Sequence, residues 1–176
     1  MAHRTLYRGR FLELAQRADW EFVQRVGGAT PVGIVAVTDQ AQMLLITQFR
    51  IPVDRVCVEI PAGLVGDAVS GEDWRQAARR ELREETGYDA AHLELLTEGP
   101  TSAGLTSECM KFARARGLRK IGPPTPDGDE HITVHEVPLA EVETFLTARA
   151  AAGELVDPKV WAALYFLRSE KAAESA

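Results

Sequence analysis

The chain has 176 residues, 45% of them hydrophobic, and a formal net charge of −6. That length suits one domain with a sizeable core. The acidic balance argues against non-specific nucleic-acid binding, which wants a basic face. No apolar run approaches the ~20 residues of a membrane span, and the opening MAHRTLYRGRF lacks the apolar centre of a secretory leader. Two cysteines, Cys57 and Cys109, fit reduced thiols in a cytoplasmic protein.

In chain order, Leu6 to Leu14 and Trp20 to Val26 read as one or two strands around a turn at Gln16–Asp19, and Gly27-Gly28 breaks the pattern. Pro31 to Val37 is a buried strand, Asp39-Gln40 turns the chain, and Met43 to Phe49 returns as the other arm of a hairpin. Arg55 to Ile60 alternates and leads into Pro61-Ala62-Gly63-Leu64. A helix follows, then strands at Leu93 to Thr97 and Met110 to Leu118, a Pro/Gly loop over Ile121–Gly128, and a strand from Ile132 to Val137. Helices over Leu139 to Ala152 and Pro158 to Lys171 close the chain. Strands on both sides of a central helix, then two terminal helices, predict an α/β domain with a mixed β-sheet between helical layers.

The central helix carries the chemistry. Its stretch Gly66 to Tyr88 holds Glu81, Glu84 and Glu85, which share one side of a helix at spacings of three and four. Like charges this close repel, so a compensating cation is expected. Carboxylate oxygens suit a hard ion such as Mg²⁺ or Mn²⁺, which shares its shell with substrate phosphates. The competing reading is a solvated charged face. Ser70 is a candidate N-cap with Asp73 as its acidic partner, and Trp74, Ala77, Ala78 and Leu82 form an apolar stripe. Arg80, four before Glu84, can hold that carboxylate, and Gly87 can end the helix in the left-handed region.

The spacing Gly66, five residues, Glu72, seven residues, Arg80-Glu81-Leu82, one residue, Glu84-Glu85, one residue, Gly87 resembles the Nudix box of the Nudix hydrolases. The closing position, where an aliphatic residue is usual, is Tyr88. Glu59-Ile60-Pro61-Ala62-Gly63-Leu64, Gln48-Phe49-Arg50-Ile51-Pro52-Val53, Trp20 to Arg25 and Asp157-Pro158-Lys159-Val160 resemble the ADP-ribose pyrophosphatase and nucleoside diphosphate sugar hydrolase branch. That branch usually has proline where Ala103 stands before Gly104, so this substrate-binding stretch leaves room for a different sugar nucleotide.

The resemblance implies a Nudix fold and metal-dependent cleavage of a pyrophosphate bond. It implies that Glu81, Glu84, Glu85 and the Ala62 carbonyl hold the metal, with Arg80 orienting a glutamate. It implies Glu130, in a loop just before a strand, as general base, and an N-terminal arm over residues 1–28 that crosses to a second copy in a homodimer, ahead of a hydrolase domain over 29–176. Arg50 and Arg25 are candidates for phosphate, because guanidinium pairs it bidentately, and Trp20 for stacking on a nucleobase. His131 and His135, four apart on a strand-like segment, are weak evidence for a His-ligated metal. The expected activity is hydrolysis of ADP-ribose or a related sugar nucleotide. The alternatives are preference for GDP- or UDP-sugars and a non-catalytic nucleotide-binding module.

Overall fold

The computed structural model describes residues 3–66, 71–125 and 131–174. The first three strands, β1 (Arg4–Arg8), β2 (Leu12–Arg17) and β3 (Trp20–Arg25), form an antiparallel sheet of their own, one strand more than the sequence pattern suggested. A tight turn with Ala18 in the left-handed region separates β2 from β3.

The β layer of the rest is two four-stranded sheets rather than one. β4 (Thr30–Ala36) lies between β7 (Ala62–Val65) and β9 (Cys109–Lys120), and β8 (Tyr88–Pro100) flanks β9. β5 (Gln42–Arg50) lies between β10 (Thr133–Pro138) and β6 (Arg55–Glu59), with the short β11 (Leu155–Val156) beyond β6. Each sheet is mixed: β4 runs parallel to β9, and β11 parallel to β6. The hairpin expected of β4 and β5 reduces to a turn, with Thr38 N–H donating to the Gln42 carbonyl at 2.8 Å and one bridge from Val37 to Met43. Beyond it the strands part, because both edges of each are already taken by other strands.

Helix α1 (Trp74–Thr86) covers one face and helices α2 (Val142–Ala151) and α3 (Pro158–Glu174) the other. Alternation along β4 feeds both layers. Val32, Ile34 and Ala36 pack with Ala77, Ala78 and Leu82 of α1, while Val35 packs with Val142, Leu146 and Val160 of α2 and α3. Among the described residues no helix is long and apolar enough to cross a membrane.

The start of α1 corrects the expected cap. Ser70 lies outside the described residues, and Asp73 is the N-cap. Its carboxylate accepts from Arg75 N–H at 2.9 Å, and its own N–H donates to the Gln76 side chain at 3.2 Å, a reciprocal capping box. Gly87 ends the helix at φ 75°, and a side chain there would overlap the Gly122 carbonyl, so both backbone conformation and crowding demand glycine.

Candidate active site

β7 and α1 pack directly, and the contact is made by an absence. A Cβ on Gly63 would overlap the Glu81 carboxylate, so the glutamate lies in the space left by the missing side chain. At Gly66, the glycine that opens the sequence pattern, an added Cβ meets no atom of the described residues, and its φ of 83° favours glycine. The glycine the site depends on is therefore Gly63, three residues earlier.

Arg80 knits the carboxylates together. Its Nη1 donates to Glu81 at 2.7 Å and to Glu84 at 3.0 Å, its Nη2 to the Leu64 carbonyl at 3.1 Å, and its Nε approaches Glu72 at 3.3 Å. Burial works against this charge, but Glu72, Glu81 and Glu84 outweigh it and hold the guanidinium well above its usual pKa. Glu72 thus acts as an ion-pair partner of Arg80. Glu85, which is buried, accepts from Ala62 N–H at 2.9 Å and so ties α1 to the first residue of β7.

Glu81, Glu84, Glu85, Arg80 and Ala62 line one cavity of about 760 Å³. Arg50 and Glu59 line it from the β5–β6 edge, Arg25 and Glu108 from the ends of β3 and the loop before β9, and Asp157 and Lys159 from the start of α3. Each of these cations is paired with an acid of the same wall. Arg50 forks onto Glu59 at 2.7 and 2.6 Å, Arg25 meets Glu108 at 2.7 Å, and Lys159 pairs with Asp157. Cys57 also faces the cavity, with burial and then the Glu59 carboxylate pushing its thiol pKa up, so it is a poor nucleophile.

The structure brings together Ala62, Arg80, Glu81, Glu84, Glu85, Arg50 and Arg25. It does not bring Trp20, Ala103 or Gly104 to the cavity wall. Trp20 is largely exposed at the far end of β3, and Thr101 and Glu108 take the wall positions near Ala103 and Gly104. Glu130 lies outside the described residues. His135 faces Thr47 and Arg149, each at 3.0 Å, away from the carboxylates. Glu59, Glu108, Asp157 and Lys159 were not singled out as site residues from sequence. Single acids at a strand end or in a loop, and a lone lysine in the first turn of a helix, carry no spacing signal.

Among the described residues no group of three His, Cys, Asp or Glu side chains converges closely enough to hold a metal ion as arranged. As arranged, Arg80 bridges Glu81 and Glu84, and the Ala62 amide engages Glu85. The chemistry of the set still fits a hard divalent cation. It offers several carboxylates against one guanidinium, all oxygen donors, with Glu81 seated in a cradle that only glycine leaves open.

The family model described as NUDIX domain matches residues 29–157. An ADP-ribose pyrophosphatase of Bacillus subtilis (strain 168) is 34% identical over 145 residues, covering 82% of this chain and 75% of that protein. A methanol dehydrogenase activator of Bacillus methanolicus is 32% identical over 158 residues, covering 89% and 80%. An ADP-sugar pyrophosphatase of Mus musculus is 35% identical over 127 residues, covering 68% and 56%. A crystal structure of an ADP compounds hydrolase superposes with a TM-score of 0.73 at 21% identity, over 99% of this chain and 94% of that one, a likeness of fold.

Proposed function

The chain belongs to the NUDIX family, and on that premise we propose that it hydrolyses the pyrophosphate bond of ADP-ribose, or of a closely related nucleoside diphosphate sugar, to a nucleoside monophosphate and a sugar phosphate. The observation that carries this reading is one cavity lined both by the α1 carboxylates and by guanidiniums. A diphosphate needs both: its own charge repels a nucleophile, and cations must screen it.

The cofactor is Mg²⁺, with Mn²⁺ as a substitute, held by Glu81, Glu84, Glu85 and the Ala62 carbonyl. When bound it screens the phosphate oxygens and lowers the pKa of water. Arg80 orients Glu81 and Glu84 through Nη1. Arg50 and Arg25 bind phosphate oxygens. Glu130 takes the proton from the attacking water. The water oxygen bonds to phosphorus as the bridging oxygen leaves with its electron pair. Support for Glu130 is its place in the sequence, five residues after Thr125, whose N–H donates to the Glu84 carbonyl at 2.7 Å.

The active unit is a homodimer through an arm over residues 1–28, with residues 29–176 as the hydrolase domain. Tyr7, Phe11 and Trp20 leave about two thirds of their surface exposed on that arm (70%, 67% and 66%). A second copy covers them, with Trp20 offered to the partner's nucleobase. The compartment is the cytoplasm, where the free thiols of Cys57 and Cys109 stay reduced.

The test is a product assay with Mg²⁺ on ADP-ribose, GDP-mannose, UDP-glucose, NADH and diadenosine polyphosphates. AMP and ribose 5-phosphate, formed fastest from ADP-ribose, are expected. No turnover of any of them, with Mn²⁺ also tried, overturns the reading.

A further inference from the structure

Three guanidiniums line the cavity, and they differ in what they have left to give. Arginine offers two bidentate edges, one through Nε and Nη2 and one through Nη1 and Nη2. Arg50 spends its Nε and Nη2 on Glu59. Arg80 spends Nε, Nη1 and Nη2 on Glu72, Glu81, Glu84 and the Leu64 carbonyl. Arg25 gives only its Nε, to Glu108 Oε2 at 2.7 Å, so among the described residues its Nη pair makes no hydrogen bond.

Glu108 is itself held. Its Oε1 accepts from the Thr101 hydroxyl at 3.1 Å, and its N–H donates to the Thr106 hydroxyl at 3.2 Å. The loop that carries it is fastened to β3 independently of the ion pair. Val23 N–H donates to the Leu105 carbonyl at 2.9 Å, and Ser107 N–H to the Val23 carbonyl at 3.1 Å. The pair also forms the wall shared with a second cavity of about 290 Å³ beneath the arm. The arm therefore delivers Arg25 to the cavity of its own chain, while Trp20, five residues earlier and about 17 Å away along an extended strand, remains on the outer surface.

We propose that Glu108 is a positioning residue: it fixes Arg25 through Nε and so leaves the Nη pair to grip a substrate phosphate. This rests on the diphosphate reading above. Glu108 touches no reacting atom and acts only through Arg25, so it governs affinity and not the chemical step.

Three variants test this, Glu108→Gln, Arg25→Ala and the double substitution. Affinity is read by calorimetry with inorganic pyrophosphate and Mg²⁺, a probe that carries the diphosphate alone. Each single variant is expected to lose about tenfold in pyrophosphate affinity, the scale of one charge-assisted hydrogen bond. The double variant is expected to be no weaker than Arg25→Ala. On ADP-ribose, KM should rise in parallel with kcat within about twofold, the signature of lost ground-state binding. Hydrogen exchange at the Val23 and Ser107 amides should stay slow in Glu108→Gln, because their bonds do not involve the carboxylate. Unchanged pyrophosphate affinity overturns the proposal. So does a fall in kcat at constant KM, a multiplicative loss in the double variant, or loss of protection at those amides, which would make Glu108 a mere fastener of the arm. Wild-type protein that binds pyrophosphate but leaves ADP-ribose intact overturns the substrate reading and not this one.

Discussion

Arg50 turns its Nε and Nη2 onto the two oxygens of Glu59, at 2.7 and 2.6 Å, with the carboxylate buried and the arginine partly open to the cavity. The residue expected from sequence to serve substrate thus also serves the fold. Removing it strands a buried carboxylate beside Cys57. Arg50→Ala is expected to destabilise the protein by about 2 kcal/mol, less than a fully buried pair would lose because Arg50 is partly solvated. Urea denaturation measures this. A phosphate contact without a structural role predicts no change in the unfolding midpoint.

The fit of Glu81 against Gly63 makes a sharper demand. Gly63→Ala puts a methyl group where the carboxylate lies, so Glu81 must leave its position or the backbone must shift. We expect turnover to fall about 100-fold, as displacements near 1 Å at a reacting site do, and stability to fall by about 1–3 kcal/mol from overpacking. Gly66→Ala is the control. It is strained by φ 83° but overlaps no atom of the described residues, and should keep its turnover. Equal loss in both variants would refute the assignment of Gly63.

These two residues mark what the sequence could and could not say. The helix was legible because three carboxylates, an apolar stripe and a terminal glycine all follow one period. Its beginning was not. Ser70 and Asp73 are both good caps, and only the pairing of Asp73 with Gln76 decides between them. Gly63 and Gly66 sit three apart, one within β7 and one just after it, and only the approach of Glu81 tells them apart. β8 was read as five residues and spans Tyr88–Pro100, since most of its side chains are exposed and show no alternation; its long antiparallel pairing with β9 makes it a strand. Arg25 and Glu108 are 83 residues apart, and no local pattern joins them.

Glu85 separates fold from chemistry. Glu85→Gln keeps an oxygen to accept from Ala62 N–H, so the tie between α1 and β7 survives. Stability is expected to change by less than about 1 kcal/mol. The variant loses a charge from the wall proposed to hold the cation, and turnover should drop by about 100-fold or more, the scale seen when one electrostatic stabiliser is removed. Parallel measurement of kcat and the thermal midpoint checks both halves. Near-normal turnover would remove Glu85 from the metal site.

His135 gives the protein a pH dependence remote from the cavity. It lies between the Thr47 hydroxyl of β5 and the Arg149 guanidinium of α2, each at 3.0 Å, with the Phe145 ring 5.2 Å away. Burial, and then the repulsion of Arg149, hold its pKa below the usual value, opposed by the attraction of the Glu154 carboxylate, which also pairs with Arg149 at 2.9 Å. The unfolded chain therefore binds a proton near the ordinary histidine value of about 6.5, while the folded chain resists it to lower pH. The contribution of His135 is complete above that value and is lost as pH falls toward the folded pKa. Unfolding free energies at about pH 7.5 and 5.5 should show the wild type losing more stability on acidification than His135→Gln, which keeps a hydrogen-bonding side chain but cannot charge. Equal losses in the two proteins would mean that the imidazole stays neutral, or is equally charged, in both states, and would assign the acid sensitivity to the carboxylates instead.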